Sequence, residues 1–322
     1  MPRSGVYTAA NIQREYLHGM TSQPNIFDRA LLNRRRTRAA PRATEHDFLL
    51  RHVSEDISDR LSLIARTFPV GLNLGAHTGA LGRQVRQLGS VGQLIDADTN
   101  GAMLAQCEGP LLPADEEFLP FGPGTLDLVV SGLTLQFAND LPGVLLQVRQ
   151  ALKGDGLLLA ALLGAGSLAE LREAFIIAET EIYGGATPRV APFADVRTLG
   201  GLLQRAGFAL PVADVDTLTV TYAHPFALMQ ELKAMGASNA LAERSRQPVT
   251  RRLLARAAEV YAERFGTPDG RVPATFEIVT LTGWAPDPSQ PKPLRPGSAR
   301  TRLADALGVP EGPPGQPKKE IP

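Results

Sequence analysis

The sequence predicts an α/β fold built on a mostly parallel sheet. Three observations carry that prediction. From residue 46 onward, short apolar runs alternate with stretches of helical periodicity, the pattern of strands joined by helical crossovers. The run Gly156–Leu163 is apolar throughout, as a central strand covered on both faces requires. A turn holding Gly75 and Gly79 closes the first apolar run, and Asp98 follows Gly79 by 19 positions. That is close to the roughly 20 residues that separate a ligand-binding glycine turn from the acid ending the next strand.

The elements follow in order. Residues 26–41 form a basic arm, helical at its start, whose Arg34, Arg35, Arg36 and Arg38 read first as a solvated charge run. The alternative is a lid or a partner-docking segment. His46–Phe68 places Phe48, Leu49, Val53, Ile57, Leu61 and Ile64 at helical spacing. Val70–Leu74 is a strand, Gly79–Leu88 a helix, Gln93–Ala97 a strand ending at Asp98, and Ala102–Cys107 a helix. Leu126–Val130 is a strand, Leu141–Leu152 a helix and Gly156–Leu163 the buried strand. Beyond it come helices over Leu168–Ile182, Val196–Ala206, Pro225–Met235 and Val249–Phe265, with strands over Val215–Tyr222 and Phe276–Trp284. Gly207 suits the residue just past a helix end.

Three regions result. Residues 1–24 read as a flexible leader, with Met20 an alternative start. Residues 25–285 form the folded domain, with a core over 51–163 and substrate or cap insertions over 164–272. Residues 286–322 are rich in Pro and Gly and have too little apolar surface to order themselves, apart from a short helix at Arg302–Leu307.

Bulk properties exclude several classes. Lys plus Arg and Asp plus Glu each total 33, so the neutral chain is no dedicated nucleic-acid binder. One cysteine, Cys107, permits no disulfide within the chain and no cysteine metal site; on its helix it reads as a small buried hydrophobe. No metal is expected. No apolar run reaches membrane-spanning length, which leaves peripheral association open. A reducing compartment fits: a bacterial cytoplasm, or the mitochondrial matrix in a eukaryote.

The glycine turn has a chemical reading. Without a Cβ, Gly75 and Gly79 allow close backbone approach. The helix that follows offers free N–H groups and a positive dipole end, which suit a carboxylate. Asp98 ends the second strand, where an acid accepts from ribose hydroxyls. The acidic run Asp115-Glu116-Glu117 precedes Phe118-Leu119-Pro120-Phe121 and the strand Leu126-Asp127-Leu128-Val129-Val130.

These runs, with Leu152-Lys153-Gly154-Asp155-Gly156, resemble the core of class I methyltransferases, which use S-adenosyl-L-methionine. Asn25-Ile26-Phe27-Asp28-Arg29, Asn139-Asp140-Leu141-Pro142, Glu170-Leu171-Arg172, Ala178-Glu179-Thr180-Glu181, Leu232–Asn239 and Val272-Pro273-Ala274-Thr275 narrow the resemblance to the mitochondrial respiratory complex I assembly-factor family. That family has been assigned protein arginine hydroxylation on a complex I subunit. More distantly, the chain is similar to the malonyl-carrier-protein O-methyltransferases of biotin synthesis. The resemblance spans residues 25 to about 285. It implies a Rossmann-like, mostly parallel seven-stranded sheet with an antiparallel last strand and helical insertions. It places Asn73, Gly75, His77, Gly79 and Asp98 on the cofactor, and Asp115 and Glu116 at its adenine. The methyltransferase pattern has an acid where this chain has Asn73 and a glycine where it has His77. Relatives commonly carry a His-Trp pair where it has Gln136-Phe137.

Methyl transfer needs alignment and exclusion of water more than a catalytic motif. None is found. Nor is there the spaced pair of histidines and carboxylate that would hold an oxygen-activating iron; hydroxylation enters through the resemblance alone. His77, Gln136 and Tyr183 are candidates for chemistry, and Gln136, Asn139, Arg172 and Tyr183 for the substrate cleft. For the last four the plain alternative is a surface or capping role. Three functions stay open: an enzyme acting on a protein side chain in complex I assembly, an O-methyltransferase of a small or carrier-bound carboxylate, and a non-catalytic assembly factor with a degenerate cofactor loop.

Overall fold

The computed structural model describes residues 25–290. The leader, Met20 and the helix expected at 302–307 lie outside that range. The chain divides into a unit over residues 1–286 and a second over 287–322. Of the second, Asp287–Gln290 is described, as a turn closed by the Gln290 N–H on the Asp287 carbonyl at 3.2 Å.

In the first unit, α1 (Arg29–Ala39) leads through a 3-10 turn into α2 (Phe48–Ser62). Then follow β1 (Phe68–Leu74), α3 (Ala80–Gln87), β2 (Val91–Asp98), the single turn α4 (Gly101–Leu104), β3 (Leu111–Pro113) and β4 (Leu126–Gly132). The rest comprises α5 (Leu141–Ala151), β5 (Leu152–Leu163), α6 (Ala169–Tyr183), α7 (Val196–Arg205), β6 (Ala209–Tyr222), α8 (Pro225–Ala234), α9 (Arg251–Phe265) and β7 (Val272–Trp284). The strands form one seven-stranded sheet in the order β3-β2-β1-β4-β5-β7-β6. Strands β1 to β5 are parallel to one another, and β7 runs antiparallel to both β5 and β6. The expected class and the antiparallel last strand are both present.

Two cores flank the sheet, sorted by the two-residue strand period. Leu128, Val130, Leu157, Leu159 and Ala161 face the layer of α2, α3, α6, α8 and α9. Val129, Leu158, Ala160 and Leu162 face α5 and α7. Among the described residues six helices have a side-chain N-cap: Asp28, Asn100, Asp140, Asp195, His224 and Thr250. Each of the Asp, Asn and Thr caps contributes about 1 kcal/mol.

Several boundaries differ from the sequence reading. Strand β3 was not expected: three residues ending in Pro113 have no period to detect, and they are held only as an edge on β2. Strand β6 begins at Ala209, six residues before Val215, because β7 supplies partners along its whole length past an irregularity between Ala209 and Val212. Helix α2 stops at Ser62, because Phe68 is fully buried at the start of β1 and donates to Ser90 at 2.7 Å. The helix expected over 102–107 is one turn. The arm is not a uniformly solvated charge run: Leu32 and Arg36, four residues apart on one face of α1, are both buried.

Candidate functional site

Strands β1, β4 and β5 all point their C-terminal ends at one edge, and the chain leaves each through a left-handed residue. After β1 these are Gly75, His77 and Gly79 (φ 72°, 51° and 78°), after β4 Leu133 (φ 53°) and after β5 Leu168 (φ 53°). Non-glycine residues rarely adopt this conformation, and such strain concentrates at functional sites. His77, Leu133 and Leu168 all line the same cavity, of about 310 Å³.

The turn after β1 is tightly built. The N–H groups of Gly75 and Ala76 both donate to the Ala97 carbonyl, at 2.8 and 2.9 Å. The Thr134 hydroxyl donates to the Gly75 carbonyl at 3.1 Å and lies against Gly75, where any Cβ would overlap it. Asp98, 1% exposed, accepts from the His77 N–H at 2.9 Å and the Asn100 N–H at 2.7 Å. The acid at the end of β2 thus braces the glycine turn as well as facing the edge. Thr78 donates to Asp47 of the α1–α2 connection at 3.1 Å.

Asn73 is fully buried on β1, and its Nδ2 donates to Asp96 at 2.7 Å. An acid there would meet a second carboxylate, so the amide is the chemistry that Asp96 admits. Burial pushes the Asp96 carboxyl up, against the pull of Asn73 and Arg86. The Asn73 Oδ1 has no partner among the described residues. The glycine turn, the Asp98 carboxylate and this free acceptor fit a cofactor with ribose hydroxyls and an ammonium group.

His77 lines the cavity with a buried Nδ1 that has no partner among the described residues. Burial, reinforced by the Arg36 charge and opposed by Asp98, lowers its pKa to about 4. The imidazole is therefore neutral at pH 7. Cys107 donates to the His77 carbonyl at 3.5 Å. Burial, with Asp96 and Asp98 nearby, pushes that thiol up to about 12; Cys107 lies past the end of α4 and is half-buried, not the buried helical side chain expected.

The acidic run meets the N-terminal helix. Arg29 reaches Asp115 at 2.8 Å, Glu117 at 3.2 Å and Glu116, which is 3% exposed. Burial raises the Glu116 carboxyl despite Arg29 and Arg36. Asp115 and Glu116 thus form a clasp that holds α1 through Arg29. Asn100 joins it, donating to the Asn33 carbonyl at 2.9 Å and to Thr37 at 2.8 Å.

The remaining candidates separate. Gln136 lines the cavity; it donates to the Leu133 carbonyl at 2.8 Å, and its buried Oε1 has no partner among the described residues. Asn139 binds the backbone of Phe27 instead of facing the cleft. Arg172 donates to the Ser167 carbonyl at 3.0 Å and is not among the residues lining the cavity. Tyr183 is a correction. It ends α6, is 57% exposed, and its hydroxyl sits 3.1 Å from that of Thr250, away from the cavity lining.

Sequence reading missed Arg36, Arg189 and the aromatic wall. Arg189 is clamped by buried Glu179, which also takes the Thr187 N–H. Phe137 packs edge-on against Phe27 and Phe193. For Arg36 the signal was its spacing of four from Leu32. Arg189 and Phe193 lie in a stretch with no periodicity, which carried none.

The methyltransferase-domain family matches residues 72–160. The chain is 37% identical to the mitochondrial arginine-hydroxylase NDUFAF5 of Danio rerio, covering 87% of this chain and 89% of that one. To the Homo sapiens protein of that name it is 39% identical, covering 87% and 83%. To the malonyl-[acyl-carrier protein] O-methyltransferase of Gallionella capsiferriformans it is 32% identical, covering 82% and 93%. Among solved structures, it shares the fold of the YcgJ protein from Bacillus subtilis, with a TM-score of 0.51 and 14% identity over 73% of this chain and 99% of that one.

Proposed function

The chain belongs to the family of the arginine-hydroxylase NDUFAF5 proteins, within the methyltransferase-domain superfamily, and from that premise we propose that it binds S-adenosyl-L-methionine and acts on a protein side chain during assembly of respiratory complex I. One observation carries the reading: Asp98 braces the Gly75–Gly79 turn through the His77 N–H, and His77 in turn lines a cavity of about 310 Å³. The setting would be the mitochondrial matrix in a eukaryote and the cytoplasm in a bacterium.

In this reading Gly75 and Gly79 admit the cofactor's amino-acid end, Asp98 accepts its ribose hydroxyls, and the Asn73 Oδ1 accepts its ammonium. The cofactor, when bound, supplies an electrophilic methyl group. The protein's part is alignment and exclusion of water. Helix α1, clasped by Asp115, Glu116 and Glu117, forms the roof, and the apolar lining keeps the site dry. Neutral His77 lines the site with an Nδ1 that has no partner among the described residues.

A second reading, methyl transfer to a small or carrier-bound carboxylate, is favoured by the wall of the cavity, which is mainly apolar and carries the buried cation Arg36. Two measurements separate the alternatives. Calorimetry with S-adenosyl-L-methionine should give saturable heat at one site; no heat and no thermal shift would leave a non-catalytic assembly factor. Mass spectrometry of complex I subunits from a deletion strain should then show an arginine that has lost its modification. An unchanged subunit set with biotin auxotrophy would support the carboxylate reading instead.

A further inference from the structure

We propose that Arg36 and the cavity it faces are a binding site for an organic carboxylate. Arg36 is 6% exposed, and its guanidinium carbon lies 5.5 Å from the centre of the Phe137 ring. It lines the large cavity and also the small one beside it, shared with Arg29, Thr99 and Glu116. Among the described residues its guanidinium makes no hydrogen bond and no ion pair. A buried charge without a partner is costly, and proteins retain one where a ligand completes it.

Every other charged side chain on the cavity wall is already matched. His46 pairs with Glu231 at 3.0 Å, Asp47 with Arg51 at 2.9 Å, and Arg189 with Glu179. Glu116 feels the charge of Arg36, but it is bonded to Arg29. His77 is held neutral partly by Arg36 itself and so offers no anion. The remaining wall is apolar, with Leu49, Leu171, Phe175, Met229, Leu254 and Phe276. A guanidinium over an aromatic ring keeps N–H donors for a planar carboxylate, the pairing that arginine makes best.

The carboxylate has two sources: the amino-acid end of the cofactor, or an apolar second ligand with an acidic end. Only the first rests on the cofactor reading above. Calorimetry on the full chain separates them. S-adenosylhomocysteine is compared with methylthioadenosine, which lacks the amino-acid end. Octanoate is compared with octanamide on the protein saturated with S-adenosylhomocysteine, or on the protein alone if that compound does not bind. For Arg36→Gln, loss of S-adenosylhomocysteine affinity by at least tenfold, with methylthioadenosine unchanged, supports the site with the cofactor as source. A tenfold loss for octanoate, with octanamide and S-adenosylhomocysteine unchanged, supports it with a second ligand as source. Arg36→Lys, which keeps the charge, should recover part of either loss. Unchanged affinities in both pairs overturn the proposal. Should Arg36→Gln not fold, the wild-type chain decides: a preference below tenfold for the carboxylate member of both pairs overturns it. Failure of the cofactor reading looks different, since the wild-type chain then binds no S-adenosylhomocysteine while the octanoate pair still tests Arg36.

Discussion

His77 makes this fold sensitive to acid. In the native chain its pKa is lowered to about 4 by burial and by Arg36, against roughly 6.5 in an unfolded chain. Between these values the unfolded state binds more protons than the native state, so stability falls as pH falls through that window. At pH 7 the imidazole is neutral in the native state and mostly neutral in the unfolded one, so the effect is only about 0.2 kcal/mol. From the two values, the linkage relation gives a loss of about 2 kcal/mol at pH 5 and about 3 kcal/mol at pH 4. The test compares wild type with His77→Asn by urea unfolding at pH 7 and pH 5. Asparagine tolerates the left-handed backbone at φ 51° and does not titrate. The variant should therefore gain about 2 kcal/mol on wild type between pH 7 and pH 5, whatever its stability at pH 7. Parallel losses in the two proteins would refute the argument and show that His77 is solvated or paired in the native state.

Three further outcomes follow from the same site. Asn73→Asp faces Asp96 across 2.7 Å in a fully buried position; it should cost roughly 2–4 kcal/mol at pH 7 and less at pH 5. One of the two acids must hold a proton with a raised pKa, and that contribution is lost as pH rises; a cost that grows toward low pH in chemical denaturation would be the wrong sign. Gly75→Ala places a Cβ on Thr134 at φ 72°; a loss of roughly 2–4 kcal/mol from overlap and backbone strain should appear as a lower Tm. Asp98→Ala removes the acceptor of two backbone N–H groups, so it should lower both Tm and affinity for S-adenosylhomocysteine, the latter at least tenfold; unchanged affinity in calorimetry would remove Asp98 from the cofactor site.

Much of the architecture was legible because it is written in local periodicity. The apolar run at 156–163 is the strand whose residues alternate between the two cores, and the amphipathic stretch after His46 is α2. Gly75, Gly79 and Asp98 were found because a close backbone turn and a strand-end acid need those residue types at that spacing. Tyr183 was misplaced because nearness to a strand end was read along the chain; which way α6 presents its last turn depends on its packing against α9. Strand β3 has no period of its own and is a strand only because β2 offers it an edge.

The sequence by itself determined the α/β class, the order of the major elements and the glycine turn with its acid, since each rests on propensity, period or spacing along the chain. Only the tertiary structure decided what those residues meet. It brought α1 across the edge, so that Arg29 occupies the acidic run and Arg36 sits buried on the Phe137 ring. It paired Asn73 with Asp96 across neighbouring strands and left His77 neutral beside a cation. These are contacts between segments far apart in the chain, and the burial that sets their charges exists only once the layers have closed.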